Sequence, residues 1–163
     1  MRNYKEIVQG TEAWHRIRYG KIGGTLSKGL FVDSDTLMIE LASCRLEPFE
    51  MEDDGYVDYD MQRGTELEPL GRTELDKYTG VKFNESGWLE NNITPILGIS
   101  PDGISECETI SCEIKCPNKK THTLTLFEDG IPAKNIHQCI HYFTDNPKLI
   151  THYFCSFRPE SDH

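Results

Sequence analysis

The chain has 163 residues, of which 37% are hydrophobic and 10% aromatic, so it can form a folded core and is not an intrinsically disordered protein. Its net charge of −10 argues against broad, non-specific nucleic-acid binding, although a local basic region can exist on an acidic protein. The sequence contains no apolar run of about 18 residues and no signal core. We therefore expect one cytoplasmic domain over residues 1–163 with no membrane partner.

Three helices are predicted in the first half of the chain. The first covers residues 11–19, with Thr11 as its N-cap and Gly20 as its stop. The second covers residues 36–46, where apolar side chains recur at helical spacing. The third covers residues 56–79, is interrupted by Gly64 and Pro69, and ends at Gly80.

Short strands dominate the second half of the prediction. They cover residues 81–83, 87–90, 95–99 and 109–116, and form a meander. A helix over 133–144 and a last strand over 150–157 complete the chain. This order predicts an α/β protein in which helices flank a mixed central sheet.

A spaced pair of carboxylates lies in the strand region. Asp102 follows Pro101, and after ten intervening residues come Glu113, Ile114 and Lys115. If the two segments are adjacent strands, these charged groups meet, because Glu113 and Lys115 share one face of a strand. Two oxygen ligands beside a cation suit a divalent metal and an activated water that cut a phosphodiester. The alternative is a surface hairpin with ordinary charges.

Five sequence blocks in this order resemble the PD-(D/E)XK nucleases, and more narrowly the lambda-type phage exonucleases, or YqaJ-like viral recombinases. The blocks are residues 10–22 (G-x-x-x-W-x-x-x-R-x-G-x-I), 63–69 (G-x-x-x-E), 99–103, 112–117 and 137–142 (Q-x-x-x-Y). The resemblance implies a restriction-endonuclease-like core and a phage 5′-to-3′ exonuclease in the bacterial host cell. Such an enzyme acts on duplex DNA and leaves 3′ single-stranded tails for recombination. An endonuclease, a structure-specific nuclease, and a non-catalytic DNA-binding protein with this fold stay open as alternatives.

The resemblance also implies a metal site. Asp102, Glu113 and the carbonyl of Ile114 would bind Mg²⁺ or Mn²⁺, with two ions expected, and Lys115 would orient or help deprotonate the attacking water. Glu68 lies four residues after Gly64, as in the family's helix, and would join the metal site. The alternative for Glu68 is a capping box with Thr65, in which the glutamate bonds to the backbone.

A second implied site would hold the terminal 5′-phosphate of the degraded strand. Its residues are Arg18, Thr25 and Ser100, and the fork of arginine suits a phosphate group. The alternative is an ion pair between Arg18 and Glu12. Gly23-Gly24 replaces the family's common Thr-Ala, which predicts a looser loop beside this pocket.

Expected roles follow for several other residues and for the binding partners. Gln138 would line the active site and bond the water or the scissile phosphate, or else be a satisfied polar residue. Met61 would be an apolar wedge between bases, Trp14 would pack the helix, and the pair His137 and His141 is expected to be structural rather than a zinc site. The expected partners are duplex DNA ends and a single-strand annealing recombinase. The family forms ring-shaped trimers, whereas the short C-terminus here leaves the homo-oligomeric state open.

Overall fold

The structure is a computed structural model that describes residues 1–32, 34–51 and 59–161, with the side chains of residues 59–61 outside the description. Its strands are β1 (Arg2–Tyr4), β2 (Trp88–Glu90), β3 (Gly98–Ile99), β4 (Gly103–Ile104), β5 (Ile110–Lys115) and β6 (Thr151–Ser156). Its helices are α1 (Glu12–Arg18), α2 (Lys28–Phe31), α3 (Asp35–Leu46), α4 (Tyr59–Thr79), α5 (Lys119–Glu128) and α6 (Ala133–Asp145). Across these described ranges, no helix is both long and apolar enough to cross a membrane.

The predicted ends of α1 are confirmed. The Thr11 side chain accepts a hydrogen bond from the Trp14 amide and so caps the helix. Gly20 has a φ of +67°, a backbone conformation that glycine adopts without steric cost. The helix therefore stops where the sequence indicates.

The predicted interruption of α4 is wrong, because one helix runs through Gly64 and Pro69 from Tyr59 to Thr79. Pro69 cannot donate a backbone hydrogen bond, yet the helix continues past it and packs on the sheet through the turns that follow. Leu75 belongs to the same buried cluster as Cys112 and Ile114 of β5. A Cβ on Gly71 would lie 2.9 Å from the Ile114 side chain, so this glycine allows the helix to approach β5 closely.

The predicted strand at residues 81–83 is also wrong. This segment is a loop that inserts Phe83 into the core, and the Phe83 amide donates to the Asp76 carboxylate at 2.9 Å. Four elements were not predicted, and one of them, β4, is only two residues long. β1 and α2 are only three and four residues long, and α5 has a single buried residue, His122, so it lacks an apolar stripe that its sequence could reveal.

The strands form two three-stranded sheets. β1, β2 and β3 pair antiparallel in that order, while β4 pairs antiparallel and β6 parallel with the central β5. The chain crosses from the first sheet to the second at residues 100–102. Helix α4 packs on the Cys112 and Ile114 face of β5, and Tyr142 of α6 packs against Ile99 and Ile104. The expected mixed sheet with flanking helices is confirmed.

Candidate active site

The antiparallel pairing of β4 with β5 brings the two predicted carboxylates together. Gly103 pairs with Cys112 and Ile104 with Ser111, so the same register continued by one residue places Asp102 opposite Glu113. Asp102 Oδ2 accepts a hydrogen bond of 2.6 Å from the amide of Ile114. The adjacent strands that the spacing required are therefore present.

Helix α6 supplies hydrogen-bond donors to Glu113, which is only 1% exposed. Gln138 Nε2 donates to Glu113 Oε1 at 2.6 Å, and the Tyr142 hydroxyl donates to Oε2 at 2.7 Å. Lys115 contacts Oε1 from the same face of β5. Both oxygens of this buried carboxylate are thus occupied, which fixes its orientation. Sequence reasoning missed the contact made by Tyr142, although the four-residue spacing in Q-x-x-x-Y puts both side chains on one side of a helix.

The site has more buried negative than positive charge. Burial, together with the neighbouring Glu113, raises the pKa of Asp102 well above its ordinary value. Burial alone would lower the pKa of Lys115, but the carboxylates of Glu113 and Asp102 outweigh it and raise that pKa. One ammonium group therefore faces two buried carboxylates, an arrangement that a further cation would stabilise.

Glu68 lies beside this group but is turned toward Arg72. Its carboxylate accepts a hydrogen bond of 2.7 Å from the Arg72 guanidinium. Burial raises the pKa of Glu68, and the contact with Arg72 opposes that shift. The capping-box alternative is wrong, because Thr65 lies in the middle of α4 rather than at its N-terminus. Glu68 shares its cavity with Asp102 and Ile114.

The donor set determines which metal the site fits. Within the described part of the chain, no three His, Cys, Asp or Glu side chains form a group that could hold a metal ion. Asp102 and Glu113 nevertheless offer carboxylate oxygens with uncompensated charge, which is the chemistry that Mg²⁺ and Mn²⁺ prefer. Asp102 and Glu113 therefore fit a hard divalent cation, and Glu68, which shares the cavity with Asp102, would have to leave Arg72 to become a third carboxylate ligand.

Arg18 occupies a different environment from the carboxylates. Its guanidinium carbon lies 3.7 Å from the centroid of the Trp14 ring and 5.7 Å from that of Trp88. Glu12 bonds to Arg16 at 2.7 Å, so the alternative pairing of Arg18 with Glu12 is wrong. Burial lowers the pKa of Arg18. Among the described residues, no carboxylate pairs with this guanidinium.

Trp14 links Arg18 to Ser100. The Trp14 indole Nε1 donates to Ser100 Oγ at 3.0 Å, and the Ser100 hydroxyl donates to the carbonyl of Gly87. Trp14 thus packs α1 against the sheet, in line with the helix-packing role expected for it. Thr25, the third predicted pocket residue, is exposed and lines the cavity.

The expected looseness of the Gly23-Gly24 loop is wrong, because both glycines are buried. A Cβ on Gly24 would lie 2.7 Å from Cγ of Gln138, and one on Gly23 would lie 3.3 Å from the Arg18 guanidinium. The loop therefore runs between the two predicted sites and packs closely against a residue of each.

A cavity of about 600 Å³ opens over the carboxylates. Glu68, Asp102, Ile114, Lys115 and Gln138 line it together with Thr25. Arg18 and Ser100 are not among its lining residues. Lys28 and Lys134 line the same cavity, and neither was predicted from the sequence as a site residue.

The two histidines of α6 differ in their surroundings. His141 is buried, with Nε2 3.0 Å from the carbonyl of Gly98 and 3.5 Å from Asp145. His137 lines the cavity and stacks on Phe31. The two rings therefore make separate contacts: His141 is enclosed by the fold, as expected for a structural residue, whereas the structural role expected for His137 stays a prediction. The side chain of Met61, the expected wedge, lies outside the described residues.

The fold and the site define a class of protein. An antiparallel strand pair that brings Asp, Glu and Lys together beside a cavity, between flanking helices, is the core of the PD-(D/E)XK nuclease fold. The family model of the YqaJ-like viral recombinase domain matches residues 13–144, and the chain belongs to that family. No curated protein matches the chain.

Solved structures are similar over most of the chain. The crystal structure of an alkaline exonuclease (LHK-Exo) from Laribacter hongkongensis is 28% identical, with a TM-score of 0.80 over 93% of this chain and 76% of that one. A second structure, of LHK-Exo in complex with dAMP, has the same identity, TM-score and coverage. The fold expected from the sequence is thus found in a solved exonuclease.

Proposed function

We propose that this protein is a metal-dependent deoxyribonuclease that digests one strand of duplex DNA from its 5′ end and leaves a 3′ single-stranded tail. The observation that carries the proposal is the group of Asp102, Glu113 and Lys115 beside a cavity, with Glu113 held in place by Gln138 and Tyr142. Family membership and the similarity to an alkaline exonuclease support the same reaction class.

In the proposed site, Asp102, Glu113 and the carbonyl of Ile114 hold Mg²⁺ or Mn²⁺, with two ions expected. The bound metal would polarise the phosphate and lower the pKa of a water molecule. The ammonium of Lys115 would stabilise the negative charge that develops on the phosphate in the transition state. Gln138 uses Nε2 for Glu113 and Tyr142. Its Oε1 meets no donor among the described residues, so it can accept a hydrogen bond from the attacking water.

Unpaired lysines support DNA as the substrate despite the net charge of −10. Within the described residues, Lys28, Lys119, Lys120 and Lys134 take part in no ion pair, whereas the other six lysines do. Lys28 and Lys134 line the cavity, and Lys119 and Lys120 follow Asn118, which lines it as well. The free ammonium groups are therefore concentrated where a phosphate backbone would have to lie.

Arg18 supports action at a DNA end. Its guanidinium carbon lies 3.7 Å from the centroid of the Trp14 ring and pairs with no carboxylate among the described residues, so a terminal phosphate can accept two hydrogen bonds from its N–H groups. Such a pocket recognises the charge and shape of an end rather than a base sequence. Thr25 and Ser100 would contribute hydroxyl groups, of which Ser100 can act only as an acceptor while it donates to Gly87. The resulting 3′ tail would serve a single-strand annealing recombinase.

The experiment that tests this proposal compares linear and covalently closed circular duplex DNA in the presence of Mg²⁺. We expect rapid release of nucleotides from the linear DNA, no cleavage of the circle, and no reaction after chelation of the metal. If the circle is nicked as fast as the linear DNA is shortened, the protein is an endonuclease. If neither substrate reacts with Mg²⁺ or Mn²⁺, the proposed function is wrong.

A further inference from the structure

An aromatic stack lies beside the cavity, away from the carboxylates. The ring of Phe31, at the end of α2, stacks on the His137 ring of α6 with centroids 5.0 Å apart and an interplanar angle of 27°. His137 lines the cavity. Phe31 is 47% exposed, so contact with His137 leaves much of its ring open to solvent. An open aromatic ring at the edge of a cavity can stack on the base of a nucleotide.

One lysine precedes each ring of the stack. Lys28 lies three residues before Phe31 in α2, and Lys134 lies three residues before His137 in α6. This spacing puts each lysine on the same side of its helix as the ring that follows. Both lysines line the cavity, and neither has an ionic partner among the described residues. Two free ammonium groups therefore accompany the aromatic stack.

We propose that Lys28, Phe31, Lys134 and His137, here called the α2–α6 ledge, bind an unstacked nucleotide of the DNA strand being degraded. The exposed ring of Phe31 stacks on the base, and the two ammonium groups bind the adjoining phosphates. The inference rests on the proposed function, because it assigns these residues to the substrate of the same cavity. It specifies a single-stranded segment, since a base inside a duplex offers no free face to an aromatic ring.

The competing explanation is that Phe31 only shields His137 from water. The two explanations predict different behaviour for a variant without the ring. If Phe31 only packs, Phe31→Leu changes thermal stability and leaves DNA affinity unaltered. If the ledge binds a nucleotide, Phe31→Leu weakens DNA binding, and Phe31→Tyr, which keeps an aromatic face, retains it.

The test measures binding of a fluorescently labelled single-stranded oligonucleotide by anisotropy, in EDTA to prevent cleavage and over a series of salt concentrations. Removing one stacking contact should weaken binding about 5-fold or more, with no change in the salt dependence. Lys28→Gln and Lys134→Gln should each reduce the slope of log K against log salt by about 0.7. The matched controls are Phe127→Leu, at an 88% exposed phenylalanine of α5, and Lys148→Gln, at a lysine paired with Glu108. Both controls should bind like wild type.

The outcomes separate this inference from the proposed function. If wild type degrades linear DNA but Phe31→Leu and both lysine variants bind the oligonucleotide like wild type, the ledge is refuted and the proposed function stands. If Phe127→Leu weakens binding as much as Phe31→Leu, the ledge is refuted as well. If wild type neither binds nor degrades DNA, both proposals fail. Should Phe31→Leu not fold, the salt slopes of the lysine variants decide.

Discussion

The side chains of Glu113 and Arg18 carry opposite charges and are both at least partly buried, but their bonding partners differ. Each oxygen of Glu113 accepts hydrogen bonds, from Gln138 and Lys115 on one side and from Tyr142 on the other. The guanidinium carbon of Arg18 lies 3.7 Å from the centroid of the Trp14 ring and 5.7 Å from that of Trp88, but Arg18 has no carboxylate partner among the described residues. The protein itself therefore orients the negative group, while the positive group keeps its donors free for a ligand.

This difference indicates separate tasks. A carboxylate that is already oriented can hold a cation without rearrangement, which is how a preorganised site lowers a barrier. A partly buried guanidinium that already contacts an indole ring has lost side-chain freedom before any ligand arrives, so it loses less entropy when an anion binds. We propose that the Glu113 region carries out the chemistry and that the Arg18 region recognises the DNA end, and the two proposals can be tested separately.

The largest effect on the cleavage rate is expected for variants of Asp102, Glu113 and Lys115. Asp102→Asn, Glu113→Gln and Lys115→Ala should each lower the cleavage rate by about 10²-fold or more, because each removes a charge that acts in the transition state. Calorimetric titration should show weaker metal binding for the two carboxylate variants and not for Lys115→Ala. The control is Glu74→Gln, at a glutamate of α4 paired with Lys77, which should cleave normally. A wild-type rate in any of the three would refute the site.

The next effect concerns Arg18. Arg18→Ala should slow digestion of a 5′-phosphorylated duplex about 10- to 100-fold, the loss expected for a hydrogen bond to a charged group, and leave a 5′-hydroxyl duplex unaffected. Arg18→Lys should restore part of the difference, since lysine carries the charge without the fork. Arg16→Ala, at an exposed neighbour paired with Glu12, should keep the preference. Equal slowing of both duplexes would show that Arg18 serves stability instead.

A smaller effect is expected for Glu68, because Arg72 holds it at 2.7 Å and it must leave that partner to reach a metal. Glu68→Gln should lower the cleavage rate about 10-fold, the effect of losing a single charged contact, with little change in the melting temperature. Glu66→Gln, at an exposed glutamate of α4 two residues before Glu68, is the control. Full activity in Glu68→Gln would exclude a metal role for this carboxylate.

The smallest effect on cleavage, and a measurable one on stability, is expected at His152. Burial lowers the pKa of its imidazole to about 4, and Nδ1 lies 2.8 Å from Ser111 Oγ. The unfolded chain binds the proton near its ordinary pKa of about 6.5. The free energy of unfolding that depends on neutral His152 is therefore fully present above about pH 6.5. It falls by on the order of 3 kcal/mol as the pH drops toward 4.

Denaturant titrations at neutral and acidic pH measure this loss. His152→Gln should reduce the acid-induced fall in unfolding free energy, while its cleavage rate at neutral pH stays near wild type. His15→Gln, at an exposed histidine of α1, should show the wild-type fall. An unchanged fall in His152→Gln would show that another group titrates in that range.

The sequence predicted the parts of the molecule that depend on local chemistry. The cap at Thr11 and the stop at Gly20 follow from side-chain and backbone preferences within a few residues. The meeting of Asp102 with Glu113 followed once two adjacent strands were assumed. The family resemblance was confirmed by the match over residues 13–144.

The remaining features depend on contacts between distant segments. Pro69 stays inside α4 because the helix packs on β5, which its own sequence does not encode. Gly23-Gly24 indicated looseness, whereas contact with Gln138, more than 100 residues later, keeps the loop close. The stack of Phe31 on His137 joins segments with no shared sequence pattern. Local propensity cannot reveal such contacts, because they form only when the fold is complete.

The most direct test of the proposed 5′-to-3′ exonuclease activity uses a linear duplex that carries a 5′-phosphate on one strand and a 5′-hydroxyl on the other. Each strand has a distinct label at its 3′ end. We predict that wild type with Mg²⁺ shortens the phosphorylated strand from its 5′ end and leaves the other strand at full length as a 3′ single-stranded tail. Arg18→Ala should remove the difference between the strands. Early loss of either 3′ label, or equal shortening of both strands by wild type, would contradict the proposed activity.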